Sequence, residues 1–403
     1  MCHPIAELPF WEGHRVQSRS EQPDGSLLIT LIDCPNTPAR CGACDQPCVL
    51  VHERRRRRVR ERDCLDRRLW LDVPIRRMDC HHCGARVVEA IDWLATGARI
   101  TRRLQAWVEA LCALLPIAHV AQLTGLHWHT IKNIDRQRLQ QLHGRFDAGH
   151  VRRLVMDEFA LHKGHRYATV VMDAERMRVL WVGEGNSRAA LRPFFTALGK
   201  DGCEKIEAVA MDMNTAFDLE VRAHCPQAEV VYDLFHVVAR FGREVVDRVR
   251  VDQANALRDQ PADRQVIKRA RWLLLRNRDN LKAEQAVHLD DLLAANRPLA
   301  ITYLLKTELK ELWYAPTVKE GLRRWKHWYR LAMGSALEPV RRFARRLRPY
   351  LRGVLASALY PMNSSILEGV NNRIKVIKRM AYGFRDSAYF FLKIKAAFPG
   401  KAR

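Results

Sequence analysis

The stretch "LVMDEFALHKGHRYATVVMDAE", Leu154 to Glu175, contains two apolar runs, Leu154–Met156 and Ala168–Met172, each ending on an aspartate. A lysine, a glycine and two histidines lie between them. Short apolar runs bounded by polar residues predict strands. "RVLWVGEG" adds a third and makes an antiparallel meander. An acid that closes a strand is either a turn former, bonding its own backbone, or a metal ligand at the mouth of a sheet. Asp157 is open to both at this point.

The elements after the meander select the fold. A helix "SRAALRPFFTALG" leads to "IEAVAMD", which ends on Asp212, then to the helix "TAFDLEVRAHC" and the run "EVVYDLFHV", which contains Asp233. Three strands followed by alternating helix and strand is the order of an RNase H-like α/β domain, with the first and fourth strands side by side. Asp157 and Asp212 are then expected to emerge together. Adjacent carboxylates repel unless a divalent cation sits between them, and Mg²⁺, with Mn²⁺ as a substitute, suits oxygen ligands that face phosphates.

A third acid is expected from a late helix. "NSSILEGVNNRIKVIKRMAYGFRD" offers Asn363 or Ser364 as its cap and Glu368 in its early turns. Helical spacing puts Asn372, Lys375 and Arg379 on one face with Glu368, where the cations would meet DNA phosphates. The plain alternative for Glu368 is an acid favoured by the helix dipole. Asp212 and Glu368 are separated by 156 positions, more than one connection needs. Residues 243–352 read as an all-helical insertion rich in Leu, Ala, Arg and Lys. Within it, Trp313, Tyr314, Trp325, Trp328 and Tyr329 are either core or DNA-stacking residues.

Towards the amino terminus, "CGAC" and "CHHC" place Cys41, Cys44, Cys80 and Cys83 as two paired knuckles, the pattern of a structural four-thiolate zinc site. The glycines after Cys41 and Cys83 are expected to let the backbone turn around the ion. Cys48, Cys64, His81 and His82 are possible substitutes, and buried free thiols are the bland alternative. Between the knuckles lies "ERRRRRVRERD". Its consecutive Arg54, Arg55, Arg56, Arg57 and Arg58 suggest phosphate contacts or else a solvated face. Next comes a helix with apolar Leu104, Trp107, Val108, Leu111 and Leu115, ended by Pro116. Then "IAHVAQLTGLHWHTIKNIDRQRLQQL" reads as a helix-turn-helix. Gly125 makes the turn, Val120 and Leu123 pack on Ile131 and Ile134, and His129, Lys132, Asn133 and Arg136 face a DNA groove.

Charge agrees with a polyanionic partner. The net charge is +23, distributed as +5 over residues 1–150, −1 over 151–240 and +19 over 241–403. An anionic membrane would suit the same balance, but "MCHPIAELPFWEGH" is no signal peptide and the longest apolar stretch is broken by Glu109 and Pro116. A bacterial cytoplasmic, nucleoid-associated protein is expected. Eleven cysteines, an odd count in a large chain, fit reduced thiols and metal ligands.

"CGAC" with "CHHC", "MDEFALHKGHRYATVVMD", "AVAMDM", "PQAEVVYDLFHV" and "ILEGVNNRIKVIKRMAYGFRD" together resemble the insertion-sequence transposases of the ISL-three family, over Cys41 to Asp386. The resemblance implies a zinc domain, a helix-turn-helix and a DDE catalytic domain. It implies that Asp157, Asp212 and Glu368 are the catalytic, magnesium-binding triad, and that Asp233 with His236 forms a motif next to the site. The activity implied is binding of terminal inverted repeats in double-stranded DNA, then metal-dependent cleavage and strand transfer into target DNA by a homodimer or larger assembly. The expected segments are a zinc module at 1–98, the helix-turn-helix at 99–148, the catalytic core at 149–242 and 353–403, and the insertion at 243–352. Two other readings stay open: a zinc and helix-turn-helix regulator without catalysis, for which clustered carboxylates near DNA would have no use, and an RNase H-like structure-specific nuclease.

Overall fold

The computed structural model describes residues 10–401 apart from positions 36, 98, 163, 165, 363 and 364, and without the side chains at 235 and 365–368. The chain divides into two compact units, Met1–Gln141 and Leu142–Arg403.

The first unit opens with a sheet of β1 (His14–Glu21), β2 (Leu27–Asp33), β3 (Val51–Cys64), β4 (Arg67–Asp79) and β5 (Arg86–Val88). Its order is β1-β2-β4-β3, with β5 also paired to β4. Leu31, Val59, Leu71, Val73 and Ile75 alternate along the strands and close over Trp11 to form its core. The arginine run lies within β3 and is a strand, so successive guanidinium groups leave on opposite faces.

Helices α1 (Arg102–Leu114), α2 (Ile117–Thr124) and α3 (Trp128–His143) come next. Thr101 caps α1 by accepting from the Leu104 N–H. Gly125 ends α2 in the left-handed region at φ 66°, which makes the expected turn. Val120, Ile131 and Ile134 pack together, but Leu123 is 61% exposed and Thr124 is buried in its place. The cause is phase: a residue three after Val120 has rotated off the strip that Thr124, four after it, still shares. In the same way Trp107 lies on the rim of α1, 42% exposed, beneath the Arg62 guanidinium at 4.7 Å, while Cys112 is buried.

In the second unit, β6 (Arg153–His162), β7 (Arg166–Asp173) and β8 (Arg178–Glu184) form the antiparallel meander. Then come α4 (Arg188–Glu204), β9 (Ala208–Met211), α5 (Thr215–His224), β10 (Glu229–Tyr232) and α6 (Leu234–Phe241). The strand order is β10-β9-β6-β7-β8, with β9 parallel to β6 and β10 parallel to β9. Leu154, Met156, Val209 and Met211 face the cluster that includes Leu191, Phe194 and Phe217 of α4 and α5. Val155, Phe159, Ala210 and Val231 face the opposite cluster.

Residues 247–355 then form α7 (Asp247–Ala256), α8 (Pro261–Arg269), α9 (Arg271–Leu275), α10 (Ala283–Ala295), α11 (Arg297–Glu311), α12 (Val318–Gly334), α13 (Glu338–Leu347) and α14 (Leu351–Leu355) around one core. Trp325 and Trp328 are in that core, ring centroids 5.4 Å apart, and Trp328 donates to the Leu305 carbonyl. Trp313 donates to the Tyr232 carbonyl at 2.9 Å, and Tyr329 packs on the core. Of the five aromatics only Tyr314 is exposed. The chain returns to the sheet through α14, where a Cβ on Gly353 would lie 2.4 Å from the Tyr232 ring. Finally α15 (Ser365–Met380) and α16 (Ser387–Ala397) cover the Val155 face through Val370, Ile374, Phe390 and Ile394.

Candidate active site and metal centres

Asp157 stands in the middle of β6, which continues to His162, and not at its end. Pairing with β7 carries the strand onward, Asp157 opposite Val170, after the parallel pairing with β9 has stopped at Val155 and Ala210. The carboxylate therefore sits where one neighbouring strand has ended and left room. Alternation puts Asp157 on the face of Val155 and Phe159, the face that α15 covers. Asp212 follows β9 and Asp233 follows β10, each two residues beyond a member of the same face, Ala210 and Val231.

Asp157, Asp212 and His236 each bring a ligand atom within 4.8 Å of the others. Both Asp157 oxygens are held: Oδ1 accepts from the Glu158 N–H at 2.7 Å, and Oδ2 from Asn371 Nδ2 at 2.6 Å. Burial pushes the Asp157 carboxyl up to about 6, with the charge of Asp212 adding and the Glu158 N–H, His236 and Asn371 opposing. Burial likewise raises Asp212, with the charges of Glu158 and Asp233 adding and His236 opposing. Asp212 Oδ1 is buried and has no hydrogen-bond partner among the described residues. A buried, partnerless carboxylate oxygen beside a second carboxylate is a donor set that a divalent cation would satisfy. His236 Nδ1 is 3.0 Å from Asp233 Oδ2, and that bond, with the charges of Asp157 and Asp212, raises the imidazole against the effect of burial.

Glu368 lies in α15 three positions before Asn371, but its side chain, like the expected caps Asn363 and Ser364, is outside the described residues. Asn372, Lys375 and Arg379 are exposed. Asn371, which no sequence signal singles out, is the α15 residue that bonds Asp157 among the described side chains. Lys378 shares its side of the helix and reaches the Ala160 carbonyl at 3.1 Å. Glu158, equally unmarked in the sequence, accepts from Asn186 Nδ2 at 2.7 Å. Asp173 is the turn former of the pair, accepting from the N–H groups of Glu175 and Arg176.

In the first unit, Cys41, Cys44, Cys80 and Cys83 bring their sulfurs together. Sγ separations are 3.8 Å for Cys41 and Cys83 and 3.6 Å for Cys44 and Cys80. Four thiolates about 2.3 Å from a tetrahedral zinc would be about 3.8 Å apart, so the set fits that ion. The Cys83 N–H, with that of His82, draws the Cys80 thiol to about 6 against burial. Gly84 turns with φ 70° as expected. Gly42 is different: its need is space, since a Cβ there would lie 2.2 Å from the Val88 carbonyl oxygen. Cys48 donates to the Asp79 carbonyl, Cys64 is exposed at the hairpin end of β3, and neither these nor the exposed His81 and His82 bring a ligand atom to the cluster. His129, Asn133 and Arg136 are exposed along α3 and Lys132 is half-buried.

A family model described as "Transposase" matches residues 154–394, and one described as "Helix-turn-helix domain of transposase family ISL3" matches residues 89–139. The chain is 49% identical over 401 residues to "Transposase for insertion sequence element IS1001" of Bordetella parapertussis, covering 99% of this chain and 98% of the relative. It is 26% identical over 343 residues to "Transposase for insertion sequence element IS1557" of Mycobacterium tuberculosis, covering 79% of this chain and 76% of the relative. No helix among the described residues is long and apolar enough to cross a membrane.

Proposed function

Because the chain belongs to the ISL3 family of insertion-sequence transposases, we propose that it cuts its element's ends and joins them to target DNA at one acidic centre, Asp157, Asp212 and Glu368, of an RNase H-like domain. The observation that carries this is the convergence of a buried and a half-buried carboxylate on one face of the sheet, the second with a buried oxygen that nothing among the described residues satisfies. Glu368 would be supplied by α15, whose seat over β6 is supported by Asn371 and Lys378.

Asp157 and Asp212 would hold Mg²⁺ or Mn²⁺, with Glu368 completing one of two sites. When bound, such ions activate the attacking oxygen and neutralise the leaving one. The chain's own contribution is placement. The Glu158 N–H and Asn371 hold the Asp157 carboxylate in one orientation, α15 closes that face against water, and Asp233 orients the His236 ring beside the acids. Asn372, Lys375 and Arg379 lie outward on α15 to meet phosphates.

The four cysteines would hold a structural zinc in a module of residues 1–98, and the helix-turn-helix of 99–148 would read the terminal repeats. The insertion, 243–352, divides the catalytic core of 149–242 and 353–403 and adds basic surface for DNA. A homodimer or larger assembly would bring two ends together, at the nucleoid of the bacterial cytoplasm. Cleavage of a labelled transposon-end duplex in Mg²⁺ tests the centre. Asp157→Asn, Asp212→Asn and Glu368→Gln are each expected to abolish cutting and leave end binding intact. Cutting by any of the three at near wild-type rate would remove that residue from the centre.

A further inference from the structure

The arginine run is a strand, and its two faces are not equivalent. Arg54, Arg56 and Arg58 are opposite Arg76, Pro74 and Asp72 of β4 and share a face with acids. Arg54 pairs with Asp33 at 3.1 Å, Arg56 with Asp72 at 2.6 Å, and Arg58 lies over the Trp70 ring at 4.7 Å. Arg54 and Arg56 thus have carboxylate partners within the sheet, and Arg58 an aromatic one. Glu53, Arg55 and Arg57 are opposite Arg77, Ile75 and Val73 on the other face, and Arg77 is opposite Val88 of β5.

That second face is concave. A trough of about 500 Å³ is lined by Arg55 and Arg57, by Arg56 and Arg58 of the other side of the run, and by Arg77, Arg86 and Arg99, over a floor that includes Ile75 and Val88. Arg55 and Arg86 are each held at 2.6 Å, by Glu53 and Asp79. No ion pair holds Arg57, Arg77 or Arg99 among the described residues, although the charge of Asp79 is felt at Arg77. Unneutralised guanidinium groups gathered in one hollow repel one another, and a row of phosphates relieves that repulsion while releasing counterions. The apolar floor suits deoxyribose.

We infer that this trough is a sequence-independent seat for the phosphate backbone of double-stranded DNA, in which Arg57, Arg77 and Arg99 make the principal contacts while Arg54, outside the trough, is held by Asp33 within the sheet. The inference rests on the chain being a DNA-binding transposase and names Arg77, Arg86 and Arg99, which lie outside the run. The helix-turn-helix would supply sequence discrimination separately.

The test uses full-length, zinc-loaded protein and fluorescence anisotropy on two duplexes, one of transposon-end and one of random sequence, from roughly 50 to 200 mM salt. Each phosphate contact contributes about 0.9 to the slope of log affinity against log salt. Arg57→Ala/Arg77→Ala/Arg99→Ala is expected to lower that slope by about 2 to 3 on both duplexes. Arg54→Ala, at a residue outside the trough, should leave it unchanged. In unmodified protein, bound duplex should shield Arg57, Arg77 and Arg99 from an arginine-selective dicarbonyl, a readout independent of how any variant folds. An unchanged slope for the triple variant, a larger loss in the Arg54→Ala variant, or absence of shielding overturns the inference. If Arg136→Ala weakens end binding while the triple variant does not, DNA recognition stands and the trough falls. If the unmodified protein binds neither duplex, both fall.

Discussion

Replacing Asn371 by leucine tests how the site is built. Asn371 Nδ2 donates to Asp157 Oδ2 at 2.6 Å and fixes a buried carboxylate that the Glu158 N–H holds from its other oxygen. A hydrogen bond to a charged group contributes about 1.5–3 kcal/mol. At about 1.4 kcal/mol per decade, its loss should weaken divalent-metal affinity by roughly 10- to 150-fold, in line with the tenfold to hundredfold effect of outer-sphere partners. Leucine keeps the side chain's size, so the packing of Val370 and Ile374 is expected to survive. Calorimetric titration of the zinc-loaded protein with Mn²⁺ measures the affinity directly, and end cleavage against metal concentration gives the functional counterpart. The half-saturating concentration should rise by that factor, with the rate at saturating metal within a few-fold of wild type. Asn372→Leu, at an exposed position, is the control and should change neither. Wild-type Mn²⁺ affinity in Asn371→Leu, with or without a fall in melting temperature, would refute the positioning role.

Three further outcomes are expected. Purified protein should carry one zinc per chain by elemental analysis, and Cys80→Ser should abolish it, unfolding the amino-terminal sheet while the second unit keeps its melting transition. Asp173→Asn should cut transposon ends at near wild-type rate, because an amide oxygen can still accept from the N–H groups of Glu175 and Arg176, whereas Asp157→Asn should be inactive. Asp157, at about 6 when folded against 3.8 ordinarily, binds a proton more tightly folded than unfolded, so its contribution to stability falls as pH rises from about 4 to 6; Asp157→Asn, freed of that burden, should melt a few degrees above wild type at pH 7.5 without divalent metal and lose the advantage near pH 4, as followed by circular dichroism.

The order of strands in the second unit was legible because its periodicity is strong. Apolar runs at 154–156, 168–172 and 208–211, with helical stretches between the later ones, leave few topologies, and β6 does lie between β7 and β9. Where β6 stops was not legible. "DEFALH" alternates poorly, and the pairing of residues 157 to 162 with β7 extends the strand past its last purely apolar run. The aromatic residues of α11 to α13 carried no signal to separate core from surface, because a helix surrounded by other helices buries its tryptophans and keeps its arginines by turning them outward.

The acids of the site could be found from the sequence, and the residue that positions one of them could not. Aspartates at the ends of apolar runs stand out because charge is rare there. An asparagine in a helix stands out from nothing, and "VNNRIK" offers two. Spacing from Glu368 admits both, since residues three and four apart share a face. Only the rotation of α15 decides, and that rotation is set by Val370 and Ile374 sinking into the face of β6 and β7, which turns Asn371 toward Asp157 and Asn372 toward solvent. The arginine run obeys the same logic with a different period. Five like residues look equivalent until a strand separates odd from even, and the acids that then single out Arg54 and Arg56 come from β2 and β4, Asp33 and Asp72, one of them 21 positions away and the other 16. In both places identity was written locally and function was assigned by what a neighbouring element packs against.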